Sequence, residues 1–151
     1  MLNNSKGVTL LELIIAIGIV GIIASMAIPA FDNQLKDSKI VANTNLVIGA
    51  YNLARSEAIN RGLQVQVVDT ADGWAVEEVA SGTEIKRFEP DNDGLTWTPA
   101  TFPDLPYATN GFRPFGSAAQ TIKLCDSRGK GREITISPAG STSVDKSPSC
   151  P

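Results

Sequence analysis

The pattern of apolar and polar positions begins with a long apolar segment. From Leu13 to Phe31 there are 19 consecutive residues without a charge. This is close to the roughly 20 residues that an α-helix needs to cross the hydrocarbon core of a bilayer. Pro29 lies near the end of the segment. Because proline removes one backbone hydrogen bond, we expect it to kink the helix without ending it.

Beyond this segment the pattern becomes amphipathic. Apolar residues recur at the spacings of one helical face, at Ile40, Val47, Tyr51, Ala54 and Ala58. Glu57 precedes Arg61 by four residues, which favours an ion pair on the helix surface. Gly62 follows directly and is a typical residue for ending a helix. The sequence therefore predicts one helix from Leu10 to Arg61, with its apolar stripe packed on a domain core.

After the helix the period changes to that of β-strands. Residues 63–69 and 74–80 alternate apolar and polar positions, which predicts two strands. Between them stands Asp72-Gly73, a strong signal for the tight turn of a hairpin. Residues 83–89 predict a third strand.

The second half of the chain has a weaker pattern. Residues 90–118 are rich in Pro, Gly, Asp, Asn and Thr, which predicts short strands joined by loops. Residues 121–125 and 133–137 predict two further strands. Aromatic side chains in such a region belong to the core more often than to a binding site, and we expect this of Trp97, Phe102, Tyr107, Phe112 and Phe115.

One carboxylate, Glu12, lies just inside the N-terminal end of the apolar segment. A charge inside a membrane span costs on the order of 2.5–3.5 kcal/mol on insertion scales, so such a residue is a functional candidate that needs a partner. No Lys, Arg or His lies between Val8 and Phe31. The partner therefore has to come from another molecule or from a new amino terminus made beside Glu12.

The segment Gly7-Val-Thr-Leu-Leu-Glu-Leu13 resembles the prepilin processing motif of type IV pilins and type II secretion pseudopilins. The polar leader, the acid at the fifth position after Gly7 and Pro29 at the twenty-second agree with it. The resemblance implies cleavage between Gly7 and Val8 by the prepilin peptidase, followed by N-methylation of Val8. It also implies that Glu12 pairs with the new terminal amine of a neighbouring subunit during assembly.

Two other interpretations of the N-terminal segment exist. A secretory signal peptide would use Lys6 as its charged region and Ser25-Met26-Ala27 as its cleavage site. A plain transmembrane anchor would need no cleavage. The apolar run is longer than the usual core of a signal peptide, and an acid near its start opposes insertion, so we favour the prepilin interpretation.

The resemblance implies an α+β, pilin-like fold, with a long kinked N-terminal helix packed on an antiparallel β-sheet. Residues 1–7 would be a cleaved leader, 8–31 a transmembrane and assembly helix, and 32–151 a periplasmic domain. The expected location is the inner membrane before assembly and the pilus, at its tip, afterwards. The expected partners are other minor pilins, the major pilin, the prepilin peptidase and the inner-membrane assembly platform.

A second resemblance narrows the family. Residues 51–62 (YNLARSEAINRG), with the Val-rich strand that follows, are similar to a block of the GspH/FimT group of minor pilins. Residues 122–137 resemble the C-terminal strand pair of the same group. Within it, FimU-type proteins prime the type IV pilus and promote motility, GspH-type pseudopilins serve type II secretion, and FimT-type pilins bind DNA through a Gly-Arg-x-Arg motif.

The sequence favours the pilus role among these three. At the place of the DNA-binding motif the chain has Gly140-Ser-Thr-Ser143, without either arginine. The formal net charge of −3 also opposes general binding of polyanions. Four cations near the C-terminal strand pair could still contact DNA, although a solvated turn is the interpretation that we prefer for them: Lys123, Arg128, Lys130 and Arg132.

Two cysteines and the absence of histidine limit the chemical reactions and metal sites that the chain can support. Cys125 and Cys150 lie in a domain expected to face an oxidising compartment, where an even pair indicates a disulfide before two free thiols. The chain has no nucleophile–base pair and no metal-ligand cluster, which predicts a non-catalytic protein without a cofactor or metal. Asp91-Asn92-Asp93-Gly94 resembles the opening of a calcium loop but lacks its later ligands, so we interpret it as a turn.

Overall fold

The computed structural model describes residues 8–146 and Cys150. The chain divides into two compact units, residues 1–37 and 38–151. Helix α1 (Leu10–Arg61) runs from the first unit into the second. The leader residues 1–7, including Gly7, lie outside the described residues.

The described part of the first unit consists of the first half of α1. The helix is continuous through Pro29, so the proline does not end it, and the kink stays a prediction. All large apolar side chains from Leu13 to Phe31 are between 53% and 73% exposed. By length and composition α1 is able to cross a bilayer, and it is the one such helix in the part of the chain that the structure describes.

The described part of the second unit contains the rest of α1 and two four-stranded antiparallel sheets. The first sheet has the order β3–β2–β1–β5, with β1 (Val65–Thr70), β2 (Gly73–Glu78), β3 (Glu84–Phe88) and β5 (Leu105–Tyr107). The second has the order β4–β6–β7–β8, with β4 (Leu95–Thr98), β6 (Gln120–Asp126), β7 (Gly131–Ile136) and β8 (Thr142–Asp145). The predicted α+β fold is confirmed. The sequence did not predict β8, because Val144 is its only apolar residue.

The amphipathic half of α1 ends and packs as its sequence predicts. All five residues of the apolar stripe are buried, and Val47, Tyr51, Ala54 and Ala58 share one core with residues from both sheets. Gly62 adopts a φ of 65°, and its N–H donates to the carbonyl of Ala58 at 3.1 Å. Arg61 bonds Glu57 at 2.6 Å as expected and also reaches Glu78 of β2 at 3.0 Å. The end of the helix is therefore tied to the first sheet.

The β1–β2 hairpin forms, but its turn lies one residue earlier than predicted. Thr70 pairs with Gly73, so Ala71 and Asp72 make the turn and Gly73 begins β2. The glycine is needed for a different reason. A Cβ on Gly73 would lie 2.3 Å from the carbonyl oxygen of Phe88, and its φ of 152° is one that other residues rarely adopt.

The aromatic side chains of the second half divide between core and surface. Phe102 and Tyr107 are buried and Trp97 packs partly against the same core, as predicted. For Phe112 and Phe115 the prediction is wrong, since they are 49% and 109% exposed. They belong to the loop between β5 and β6, where no strand turns them towards the core.

A disulfide joins Cys125 of β6 to Cys150, 25 residues further along the chain, with the Cα atoms 5.8 Å apart. Gly131 pairs with Cys125 across the two strands. A Cβ on Gly131 would lie 2.6 Å from the sulfur of Cys150 and 2.2 Å from the carbonyl oxygen of Leu124. The glycine therefore leaves the space that the bridge occupies.

We expect loss of the disulfide to lower the melting temperature. Closing a loop of this length contributes about 3 kcal/mol in the chain-entropy model, which corresponds to roughly 10 °C for a domain of this size. The measurement is thermal unfolding of the chain in detergent, comparing wild type with the Cys125→Ser/Cys150→Ser double variant. Reductant should lower the wild-type value and leave the double variant unchanged. Equal melting temperatures under oxidising conditions would contradict the prediction.

Candidate functional site

The N-terminal end of α1 brings Thr9 and Glu12 together. The carboxylate oxygen Oε2 of Glu12 accepts hydrogen bonds from the backbone N–H and the hydroxyl of Thr9, both at 2.9 Å. The backbone N–H of Glu12 donates in return to the Thr9 hydroxyl at 3.3 Å. This reciprocal arrangement is a capping box, which satisfies N–H groups that a helix end leaves without partners.

The cap gives Glu12 a role within its own chain that the sequence analysis did not include. The signal was present, because Thr9 stands three residues before Glu12 in the Ser/Thr-x-x-Glu pattern of capping boxes. The bonds come from neutral groups, so the charge of the carboxylate is not neutralised by them. Val8, which the prepilin interpretation makes the new terminus, lies two residues before the helix and is 77% exposed.

The four cations of the C-terminal strand pair lie on β6, β7 and the turn between them, and Lys123 and Arg128 pair with carboxylates of the same hairpin. Lys123 pairs with Glu133 on the neighbouring strand at 3.2 Å. Arg128 donates through Nε to Asp126 at 2.7 Å. The turn is organised around this aspartate, whose other oxygen accepts the backbone N–H groups of Arg128 and Lys130 at 2.8 and 3.0 Å.

These pairs weaken the case for a DNA-binding surface at this turn. Binding to a phosphate backbone depends on cations that neutralise phosphates, and Lys123 and Arg128 already neutralise acids of the same hairpin. Arg132 lies half-buried on β7, opposite Leu124. The structure therefore favours the solvated turn, and nucleic-acid contact by Lys123, Arg128, Lys130 and Arg132 stays an untested prediction.

The place of the missing Gly-Arg-x-Arg motif is the turn between β7 and β8. Gly140 is buried there with a φ of 87°. Its carbonyl accepts a hydrogen bond from the buried hydroxyl of Tyr107 at 3.0 Å. Arg113, also buried, donates to the carbonyls of Ala118 and Ser137 at 2.7 and 3.3 Å. The Tyr107 hydrogen bond thus connects the turn to the core, and Arg113 stabilises the turn through its hydrogen bond to Ser137.

The segment that resembles a calcium loop, residues 91–94, is contacted by Lys39, a residue that the sequence analysis did not single out. The Lys39 ammonium lies 3.0 Å from a carboxylate oxygen of Asp91 and 3.3 Å from one of Asp93. Asn43, one turn further along α1, donates to the carbonyl of Asp91 at 2.7 Å. The hydrogen bond between the Lys39 ammonium and the Asp91 carboxylate raises the pKa of Lys39 and lowers the pKa of Asp91. The described residues contain no group of three or more side chains arranged to hold a metal ion.

The fold and the helix end together define a class of protein. A long N-terminal helix, apolar and exposed in its first half and packed on antiparallel sheets in its second, is the architecture of pilins and pseudopilins. The backbone of this chain resembles that of the type IV minor pilin FimU of Pseudomonas aeruginosa in two crystal forms. The TM-scores are 0.60 and 0.55, at 19% and 23% sequence identity, over 77% and 74% of this chain and 95% of FimU in each case.

The sequence comparisons identify the family. Residues 43–140 match the family model described as type II transport protein GspH, which covers more than half of the chain, and residues 2–28 match the prokaryotic N-terminal methylation motif. The chain belongs to the GspH family. It is also 30% identical over 93 residues to the type IV major pilin PilE of Neisseria gonorrhoeae, a match that covers 62% of this chain and 55% of PilE. The chain therefore spans about half the length of that relative.

We expect the Asp126 turn to make stability depend on acid. Burial alone raises the pKa of Asp126, but the hydrogen bonds from Arg128 and Lys130 outweigh it and hold the pKa below its usual value. A lowered folded-state pKa stabilises the fold above the unfolded-state value of about 3.9, and this contribution disappears as pH falls through the folded-state value.

The test is denaturant unfolding of the Asp126→Asn variant from neutral pH to pH 2. The variant should lose about 1–3 kcal/mol of unfolding free energy at neutral pH, because its hydrogen bonds to a charged group are weakened. Between neutral pH and pH 2 its unfolding free energy should decline less than that of wild type. Asp72→Asn, at the exposed hairpin turn, is the matched control and should follow wild type. Parallel acid profiles for wild type and Asp126→Asn would contradict the role of the turn.

We expect calcium to leave the protein unchanged. The Lys39 ammonium already provides a positive charge between Asp91 and Asp93, so a divalent ion would have to displace it. Melting curves with millimolar calcium and with a chelator should therefore coincide. A calcium-dependent rise in melting temperature that Asp91→Asn abolishes would show that the segment binds the ion.

Proposed function

We propose that this protein is a non-catalytic minor pilin of a type IV pilus, acting in the tip complex that primes assembly and so promotes motility and adhesion. In this proposal residues 1–7 are removed by the prepilin peptidase and Val8 is N-methylated. Residues 8–31 anchor the subunit in the inner membrane, and 32–151 form the periplasmic domain. Its partners are other minor pilins, the major pilin and the inner-membrane assembly platform.

The single observation that carries this proposal is the state of Glu12. Its carboxylate lies in the first turn of an apolar helix whose side chains are exposed, and within the described part of the chain it is held by neutral groups of Thr9. A charge in apolar surroundings is stabilised strongly by an opposite charge. The amino terminus of a neighbouring processed subunit is such a charge, and the exposed apolar helix is a surface that lipid or neighbouring helices would cover.

The cap suggests how Glu12 is stabilised while the subunit lies in the membrane before assembly. While the subunit is alone, Thr9 satisfies two of the acceptor positions of Glu12 and fixes the direction of its side chain. On assembly the same carboxylate gains an ionic partner, so the helix enters the filament at the depth where the two charges meet. Thr9 is in this account a positioning residue for Glu12.

A second candidate function is that of a minor pseudopilin in a type II secretion machine. The observation that favours it is the match of residues 43–140 to the model described as type II transport protein GspH. The same helix, cap and anchor would serve a pseudopilin. Mass spectrometry of filaments sheared from native cells distinguishes the two, since the pilus proposal requires this chain, beginning at a methylated Val8, in the sheared filament fraction.

We expect Glu12 variants to be excluded from filaments. Glu12→Ala removes both the charge and the cap, whereas Glu12→Gln removes the charge and retains an acceptor that capping boxes tolerate. Both should reduce incorporation by roughly tenfold or more, since loss of one member of a buried ion pair costs about 3–5 kcal/mol. The measurement is an immunoblot of sheared filaments, normalised to the amount in membranes.

Two controls make this experiment specific. Glu84→Gln changes an acid on β3, outside the helix, and should leave incorporation at the wild-type level. The N-terminal peptide of each variant shows by mass whether processing occurred. Wild-type incorporation of Glu12→Gln, with processing intact, would remove the ionic role from the proposal.

A further inference from the structure

A cleft lies where the β1–β2 hairpin of the first sheet approaches the segments on either side of β4 in the second. Its volume is about 170 Å³. The hairpin contributes Asp69, Thr70 and Trp74, and the segments around β4 contribute Asn92, Trp97 and Phe102. The described residues that line the cleft belong neither to α1 nor to the β6–β7 turn.

Three aromatic rings form one wall of the cleft. The ring centroids of Trp74 lie 4.6 Å from Phe102 and 5.6 Å from Trp97, and those of Trp97 and Phe102 are 5.2 Å apart. Trp74 and Phe102 are buried, whereas Trp97 is half-buried on the edge strand of its sheet. Asp69 and Asn92 are exposed at the rim.

Two buried polar atoms of the lining have no hydrogen-bond partner among the residues that the structure describes. They are the indole Nε1 of Trp74 and the hydroxyl oxygen of Thr70. Buried polar groups in proteins are nearly always paired, and leaving one unpaired costs about 1–3 kcal/mol. Trp97 contrasts with Trp74 because its own Nε1 donates to the Asn92 side chain at 2.7 Å. Both unpartnered atoms belong to residues that line the cleft and are buried beneath its surface.

We propose that this cleft binds one neutral sugar ring. The Trp74 indole requires an acceptor oxygen, and the Thr70 hydroxyl can donate or accept. Asp69 provides a carboxylate acceptor, and its Oδ1 already receives the N–H of Phe102 at 3.4 Å. Sugar hydroxyls both donate and accept, so a sugar ring satisfies all three groups at once, and its C–H faces suit the aromatic wall.

The charge and chemistry of the lining disfavour anions and quaternary ammonium ions, two other classes of ligand for an aromatic cleft. An anion would meet the Asp69 carboxylate at the rim, with no Lys or Arg among the residues that line the cleft. A quaternary ammonium suits aromatic faces and a carboxylate but offers no acceptor to the Trp74 indole. The volume lies below the 300–1,000 Å³ of typical ligand pockets, which restricts the ligand to a single ring.

Binding requires a small opening of the cleft, because the two unpartnered atoms lie beneath its surface. The movable part is Trp97, since it stands on edge strand β4 and the exposed Asn92 is its hydrogen-bond partner. When Trp97 moves outwards, a ring hydroxyl reaches the Trp74 indole, and the side-chain oxygen of Asn92 becomes available as an acceptor at the rim. This proposal concerns the β-sheet domain alone and stands or falls independently of the proposed filament role.

The test is a titration of the full ¹⁵N-labelled chain followed through its indole N–H resonances. The chain has two tryptophans, and a Trp97→Phe variant assigns the two signals. A polyoxyethylene detergent is used, because glycoside and choline detergents resemble the ligands under test. The probes are glucose, galactose, mannose and N-acetylglucosamine through the millimolar range, the affinity range expected of one ring, with tetramethylammonium as the competing class.

We expect at least one sugar to move the Trp74 indole resonance in a saturable way. Thr70→Val should weaken this binding about two- to tenfold, the effect of one hydrogen bond, whereas Thr121→Val, on β6 away from the cleft, should not. If Thr70→Val does not fold, Asn92→Ala at the exposed rim takes its place. A Trp74 signal that no sugar moves, or that only tetramethylammonium moves, would overturn the proposal, as would equal shifts in wild type and both cleft variants.

Discussion

Burial of one face of α1 is the interaction on which the β-sheet domain depends. The face is built largely from small residues, with Ala50, Ala54 and Ala58 fully buried beside Val47 and Tyr51. Small side chains on the helix leave room for the larger residues of the core, such as Trp74, Tyr107 and Ile122, which the sheets supply. Each sheet alone would leave one apolar face in water, so the helix completes both of them. The helix ends at Arg61 because Gly62 adopts a positive φ, and Arg61 ties this end to the first sheet through Glu78.

The first half of the same helix has the opposite character. Its large apolar side chains are exposed, and Glu12, the one acid between Leu10 and Phe31, is held by a reciprocal cap with Thr9. In a soluble protein such a surface would promote aggregation, whereas in a bilayer or a helix bundle it is covered. A single helix thus combines a segment that needs lipid or protein around it with a segment that completes a water-exposed domain. Membership of the GspH family gives this division its meaning, since pilins and pseudopilins use the first segment for anchoring and assembly.

Two loops of the domain are stabilised by ion pairs. These pairs use the charged residues whose sequence pattern resembles a ligand-binding site. Lys39 lies between Asp91 and Asp93, where the sequence resembles a calcium loop. Asp126 holds Arg128 in the turn where the sequence suggested contact with DNA. In both places an intramolecular partner neutralises the group that an external ligand would need. The aromatic cleft differs, because there the unpartnered groups are polar, buried and uncharged, and an external partner would improve their hydrogen bonding.

The sequence by itself determined the helix, its end at Arg61, the positions of most strands and the family, because these follow from periodicity, glycine placement and a local motif. It also contained the Thr9–Glu12 cap, whose partners are three residues apart. Only the tertiary structure decided which distant groups meet. Lys39 and Asp91 are 52 positions apart, and Trp74 of β2 meets Trp97 of β4 only when the two sheets come together. Strand β8 and the exposure of Phe112 likewise depend on neighbours rather than on local pattern. Periodicity assigns a residue to a face, but the packing of the other elements decides what that face contacts.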